Sequence, residues 1–589
     1  MKKFPLIAAA LAVALMFVSA PHPAAQDEKP AEKTDGETTA DAPAVDYLIV
    51  SADGLAEVAK EWAEYRASHG RVTKVLTIGA IGKLHEMDEP GLTEIKSAIL
   101  EHAGGDEVRE GFQVLLLGDC PNDSATDYDP KSEIPWMLTR QMDSNPDTNR
   151  RERVPTDNFY ADLVQDDDGL PDIAVGRIPA RTPEQARLAL AKVKAYEAAR
   201  QGEWLRNLTF FAGEGHFGAM IDTMLEKLFM QFAESMSQAH NVRMTYANIN
   251  SSYAYVPSKF SDKVIEEANA GALLLCYLGH GAYDRLDDMY VDVDGKRTRY
   301  PILSADDVGK FNIPDGKLPV MMIIACETGR LDHPKGSLAE KICFTEKAPV
   351  AVIASSRDSH PYSNTLLELA MVDELSVSNT PTLGQAFLKS KRELILGEHP
   401  ERKKLDTMAM FIIPEKERAG LNQSHLSLYN LTGDPGLRMQ YPKLDIGLRL
   451  SKGEVISEGE ITVAVSGLEI FADAKLEFRI ECKRTALAHQ VLPFNKADLT
   501  GNDEKKRQAA EETVAQNHAN SNNKLVAKLP VEFVGVAESK MVLPDGSEKT
   551  VTEGFFAGNP DSPLRPVTTF SKCSPAIRKG SAAALQPWI

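Results

Sequence analysis

The sequence predicts an α/β protein: two parallel-sheet subdomains followed by a C-terminal β-sandwich-like domain. Three observations predict it. From Asp46 to about Met439, short apolar runs alternate with helix-spaced stretches, the pattern of strands covered by crossover helices. Beyond Pro442 that texture ends, and period-2 segments such as Glu460 to Val465 and Lys475 to Ile480 take over. The chain of 589 residues is also too long for one hydrophobic core.

The first segment is not part of the fold. Lys2 and Lys3 precede an apolar stretch from Leu6 to Val18, followed by small residues at Ser19-Ala20 and Ala24-Ala25. This is the layout of a secretory signal peptide, residues 1–25, cut after Ala20 or Ala25, and too short for a comfortable membrane span. Residues 26–44 are charged and rich in Pro, Thr and Ala, with no apolar periodicity, and read as a flexible linker.

The first α/β unit is expected over residues 45–200. Tyr47 to Ser51 is a strand, and Leu55, Val58, Ala59, Trp62 and Tyr65 make a helical stripe ended by Gly70. Val72 to Ile78 is the next strand, Thr93 to His102 a helix and Val114 to Leu117 a third strand. After an Asp-rich stretch, Pro171 to Gly176 is a short strand. Thr182, Pro183 and Gln185 then supply a cap, a first-turn proline and a capping-box glutamine for a helix reaching about Arg200.

A second unit over 201–442 repeats the alternation. Its strands are Leu208 to Ala212, Arg243 to Tyr246, Leu273 to Leu278, Leu318 to Ala325 and Val350 to Ala354. Helices are expected at Ile221 to Phe232 and Ser261 to Asn269, and Leu428 to Met439 closes the unit. Residues 443–589 are expected to form the β-rich domain, with Lys496 to Asn523 as a polar, mobile insertion.

A net charge of −19 argues against nucleic acid or an anionic membrane as the main partner. No segment after the first is apolar enough to span a bilayer. Six cysteines in so long a chain do not make a disulfide scaffold. Cys120, Cys276 and Cys343 read as small core residues, and Cys482 and Cys573 are able to pair after export.

Two strand ends carry reactive side chains. His280 follows the run Leu273 to Leu278, and Cys326 follows Leu318 to Ala325. Open parallel sheets place active sites just beyond the carboxyl ends of neighbouring strands. A thiol and an imidazole delivered there form the nucleophile and general acid/base of a cysteine hydrolase. Gly279 and Gly281 let the backbone around His280 turn sharply, and Gly329 fits a tight turn leaving the Cys326 strand. The N–H groups of Gly281 and Cys326 are natural oxyanion donors.

Seven segments in order then resemble the gingipain-type cysteine peptidases, relatives of the caspase-like clan. They are DYLIVSADG (46–54), VLLLGD (114–119), TDNFYADL with PDIAVGRIPA (156–180), YLGHG (277–281), IIACETG (323–329), VAVIASS (350–356) and LTGDPGLRM (431–439). The resemblance implies a caspase-like catalytic subdomain, protein or peptide substrates, Cys326 as nucleophile and His280 as base. It also implies an acid orienting the histidine, which falls on Glu214 in FFAGEGHFG; a solvated loop acid is the lesser alternative there. Asp222 is the nearest counterpart of an acid in the specificity pocket of basic-specific relatives, and Tyr362 lies close to the position of a family aromatic. Arg357, in RDSHPYSN, departs from the basic-specific pattern and is able to reverse the charge preference.

No cofactor is required for this chemistry. Structural calcium is common in the resembled family, and an extra polar loop from Asp284 to Pro301 and the acids Asp162, Asp166, Asp168 and Asp172 are candidate ligands. Neither group has full calcium-loop spacing, and a solvated acidic loop is the preferred reading of both. His216, His333 and His360 show no metal-ligand spacing. The expected function is therefore a secreted cysteine endopeptidase; the alternative is a catalytically inactive exported or surface interaction protein on the same fold.

Overall fold

The computed structural model describes residues 44–442 apart from 83–88, 106, 121–133, 144–152, 165–167, 216–239, 294–295, 315, 398, 400–401 and 411–412. Beyond 442 it describes 491–523 and the strands at 447–450, 461–466, 477–481, 525–529, 531–542, 548–558 and 585–588. The signal peptide, the linker, the helix expected at Ile221 to Phe232, and Cys482 and Cys573 lie outside the described residues.

Ten strands form one sheet: β1 (Tyr47–Ser51), β2 (Thr73–Thr77), β3 (Gln113–Leu117), β4 (Ala174–Ile178), β5 (Asn207–Ala212), β6 (Asn241–Tyr246), β7 (Leu274–Leu278), β8 (Val320–Ile324), β9 (Ala351–Ser355) and β10 (Tyr429–Thr432). Their order is β2-β1-β3-β4-β10-β9-β8-β7-β5-β6. The two expected subdomains are thus halves of a continuous sheet. A single parallel pair, Thr432 with Arg177, joins them, and β10 runs antiparallel to β9. Strand direction therefore reverses between β10 and β9, one strand past the seam, while every other pairing in the sheet is parallel.

Both faces of the sheet are covered, as near-continuous apolar strands require. In β1, Leu48 and Val50 join one core with Ile95 and Ile99 of the helix Glu89–Ala103, whereas Tyr47 and Ile49 face a larger core containing Trp62. That larger core runs across the seam to Ile323 and Ile353. Polar side chains reinforce the junction. Asp434, in the turn after β10, accepts from Tyr47 Oη (2.6 Å), Trp62 Nε1 (2.6 Å) and Arg66 Nη2 (2.5 Å). Asn430 on β10 accepts from Asp157 N–H across the seam (3.0 Å), and Arg177 on β4 holds Asp157 from within the first half. Thr182 caps the helix Pro183–Glu197 by accepting from Gln185 N–H, as its sequence predicts.

Two segments differ from expectation. The stretch after His280 is not a polar loop but an antiparallel hairpin, Asp288–Val293 with Lys296–Pro301, tied across the strands by Asp288 and Arg299 at 2.7 Å. Its alternation of Met289 and Val291, both buried, with Tyr290 and Asp292 is a strand period interrupted by acids. The polar tract 496–523 likewise contains a helix, Glu504–Asn522, rather than a mobile insertion. It buries Ala510, Val514, Asn517, His518 and Ser521, and it docks on the edge strand β6. There the Asn522 amide accepts from Met244 N–H (2.8 Å) and donates to Met244 O (2.9 Å). The remaining C-terminal strands pair antiparallel in a four-stranded and a three-stranded sheet.

Candidate active site

The register of the second half brings three predicted residues to one edge. Ala212 of β5 pairs with Leu278 of β7, and Leu278 pairs with Ile324 of β8. Glu214, His280 and Cys326 each lie two residues beyond this rung. Three side chains separated by 66 and 46 positions in the chain thus leave neighbouring strands at the same height. The edge is the carboxyl one, where backbone pairing ends and side chains are free to converge.

The turn at His280 is held from below. Buried Tyr277 donates its hydroxyl to His280 O (2.9 Å) and accepts from Asp287 N–H (3.2 Å). Gly279 has φ of 154°, and a β-carbon there would lie 2.5 Å from the Tyr277 hydroxyl, so only glycine fits. Gly279 N–H also donates to Ile324 O (3.2 Å), tying the histidine turn to the cysteine strand. His280 itself is exposed. Glu214 is half-buried, and its carboxylate accepts from Tyr290 N–H (3.4 Å) in the hairpin after the histidine.

Cys326 is half-buried and unpaired with another cysteine. Its Sγ accepts from Ser359 N–H at 3.3 Å and lies 3.8 Å from Ser359 O. Burial pushes the thiol up; the Ser359 N–H pulls it down, and the Asp358 and Glu327 charges push it up again. The left-handed residue of this turn is Glu327, φ 58°, not Gly329. Gly329 is needed for close approach instead, since a β-carbon there would lie 2.8 Å from Ala354 Cβ on β9.

Two expectations for the specificity pocket are corrected. Tyr362 is 1% exposed and donates its hydroxyl to Asp406 from the first turn of the helix Pro361–Ser376, which leaves its ring no open face toward a substrate. Arg357 is buried and clasped by Asp332 at 2.9 and 2.5 Å, so its charge is already matched. Asp222 and His216 lie outside the described residues. Cys120, Cys276 and Cys343 are buried free thiols, as their apolar surroundings predict.

The acidic stretches serve local structure. Asp172 accepts from the N–H groups of Leu163 and Val164 at 2.9 and 3.0 Å, and Asp168 accepts from Leu170 N–H at 2.7 Å. Asp166 lies outside the described residues. Among the described residues no three His, Cys, Asp or Glu side chains cluster as a metal site. No helix of the described residues is long and apolar enough to cross a membrane. Sequence reasoning missed Ser359 and Tyr277, whose roles at the site run through backbone groups and leave no motif.

The model of peptidase family C25 matches residues 40–440. Among solved structures the chain is similar to the Arg-specific cysteine proteinase gingipain R (RgpB). Identity there is 14%, with 87% of this chain and 91% of that chain covered and a TM-score of 0.47. It is similar to the complex of Porphyromonas gingivalis RgpB pro- and mature domains at 15% identity, covering 74% and 88%, with a TM-score of 0.46. Similarity to dimeric latent PorU from Porphyromonas gingivalis covers 89% of this chain and 40% of that one, at 14% identity and a TM-score of 0.32. No curated protein matches.

Proposed function

The chain belongs to peptidase family C25, a family of cysteine peptidases, and from that membership we propose that it is an exported endopeptidase acting through Cys326 and His280. The observation that carries this reading is the shared rung, which sets His280 and Cys326 two residues past paired positions on adjacent strands.

In the proposed cycle Cys326 Sγ attacks the scissile carbonyl carbon while His280 takes the thiol proton. The oxyanion of the tetrahedral intermediate is held by the N–H groups of Gly281 and Cys326. The C–N bond breaks as the imidazolium returns its proton to the departing amine, leaving a thioester. Water then attacks the thioester, giving its proton to His280, and thiolate leaves with the new carboxylate formed. Glu214 orients and stabilises the imidazolium. No step calls for a metal or organic cofactor.

A thiol-reactive peptide probe on the full-length chain tests the assignment. Wild type should label at Cys326 and cleave internally within blocked peptides, and Cys326→Ala should do neither. Equal labelling or cleavage by the two proteins would sink the nucleophile and favour a non-catalytic interaction protein. Export is supported by the basic–apolar–small layout of residues 1–25. It predicts a secreted product whose first residue is Pro21 or Gln26, read by N-terminal sequencing.

A further inference from the structure

Ser359 reaches the Cys326 thiol from the flank opposite His280: it follows β9, whereas His280 follows β7, and β8 lies between. Among the described residues Ser359 supplies every hydrogen bond of Sγ: N–H at 3.3 Å, carbonyl at 3.8 Å and Oγ at 3.9 Å. The serine is itself held. Asn364 Nδ2 donates to Ser359 Oγ at 2.9 Å, and the Tyr429 phenol gives its proton to Asn364 Oδ1 at 2.8 Å. The serine hydroxyl hydrogen then has two acceptors within reach, the Tyr429 oxygen at 3.4 Å and Sγ at 3.9 Å. A neutral thiol competes poorly for it, whereas a thiolate attracts it strongly.

We propose that Ser359 is a further catalytic residue, its N–H and hydroxyl solvating the Cys326 thiolate, and that Asn364 and Tyr429 are positioning residues that hold it there. The proposal rests on Cys326 being the nucleophile. On ionisation the hydroxyl turns from Tyr429 to sulfur; no covalent bond changes.

The surroundings give these donors their weight. Asp358 and Glu327 on the flanking turns place negative charge toward the thiol. Beneath it lie Tyr429, Cys276 and Glu368, all buried, with burial pushing each toward its neutral form. The nearby Arg357 guanidinium is matched by Asp332. Among the described residues whose effect on the thiol is resolved, Ser359 is the group that favours the anion. Dipoles aimed at sulfur favour the anion whichever protonation state His280 takes during turnover.

The test is the pH dependence of Cys326 alkylation by iodoacetamide, read on the Cys326 peptide by mass spectrometry in the full-length chain. This needs no turnover. Ser359→Ala should move the alkylation midpoint up by roughly half a unit to one unit, slowing the reaction at neutral pH. Ser359→Thr, which keeps the hydroxyl, should restore the wild-type curve. The same shift should appear in a His280→Ala background, which separates the serine from the imidazole. Asn364→Ala should shift it in the same direction, with circular dichroism reporting that the fold is kept. Superimposable curves for wild type and Ser359→Ala would overturn the proposal. Peptide hydrolysis missing from wild type, with the serine-dependent shift intact, would overturn the peptidase reading alone.

Discussion

Gly281 and Cys326 are in direct contact: a β-carbon on Gly281 would lie 2.9 Å from the Cys326 carbonyl oxygen and 2.7 Å from the Thr328 methyl. The histidine turn thereby rests on the backbone of the cysteine turn. No flexible side chain lies between them to absorb a shift.

Gly281→Ala should accordingly separate the two turns. Displacements near 1 Å cost on the order of 10²-fold in rate, so kcat/KM should fall by about that much. The melting temperature should move far less, because the substitution sits at the sheet's rim. Unchanged peptide hydrolysis would mean that the two turns need not be in register.

Asp434 receives Tyr47, Trp62 and Arg66 in the larger core beside the seam, and Arg66 is 1% exposed. Replacing it by alanine leaves a buried guanidinium with only Glu197 as its anion. Denaturant unfolding of Asp434→Ala should show a loss of about 3–5 kcal/mol.

Asp332→Asn should cost stability by the same physics at Arg357, and it also frees that guanidinium. Were Arg357 a specificity group, cleavage of peptides with acidic side chains would rise in the variant. The expected outcome is lower stability with no gain toward acidic peptides, checked with a peptide library.

Burial pushes Glu368 up to about 8, with Cys276 Sγ as a 3.4 Å neighbour. A raised folded-state value means that the native state holds its proton longer than the unfolded chain does. The resulting stability is complete below the unfolded value near 4.5, and it is lost progressively as pH rises toward 8. Glu368→Gln should flatten that decline, leaving the variant more stable than wild type by ~1–3 kcal/mol near pH 8, as measured by thermal melts across pH.

Asn522 completes the edge of β6 with an amide bonded to both backbone groups of Met244. Asn522→Ala should speed hydrogen exchange at the Met244 amide by roughly fivefold, the loss of about 1 kcal/mol per hydrogen bond. Exchange in β8 should be unaffected.

Much of the candidate site was legible because its signals are local. Apolar runs ended by His280 and Cys326 mark strand ends without reference to anything distant, and the register adds only their common height. The seam was not legible, since four residues, Tyr429 to Thr432, carry no direction of their own. Arg357 looked like a free charge because Asp332, 25 positions away, lies in a turn whose path the sequence does not specify. The helix Glu504–Asn522 escaped notice because its buried stripe is built from Ala, Val, Asn, His and Ser rather than large apolar residues. Burial of small polar groups depends on a partner strand that periodicity alone cannot reveal.

One backbone pair joins the two halves of the sheet, and side chains on either side supply the rest of the adhesion. Pulled across its width, such a sheet parts along that line before any parallel ladder opens, because each ladder shares load among several residue pairs and the seam holds one. Its mechanical strength is therefore set by Asp434 and Asn430, whose side chains bond across that line, and substitution there tunes it while leaving the ladders of both halves intact.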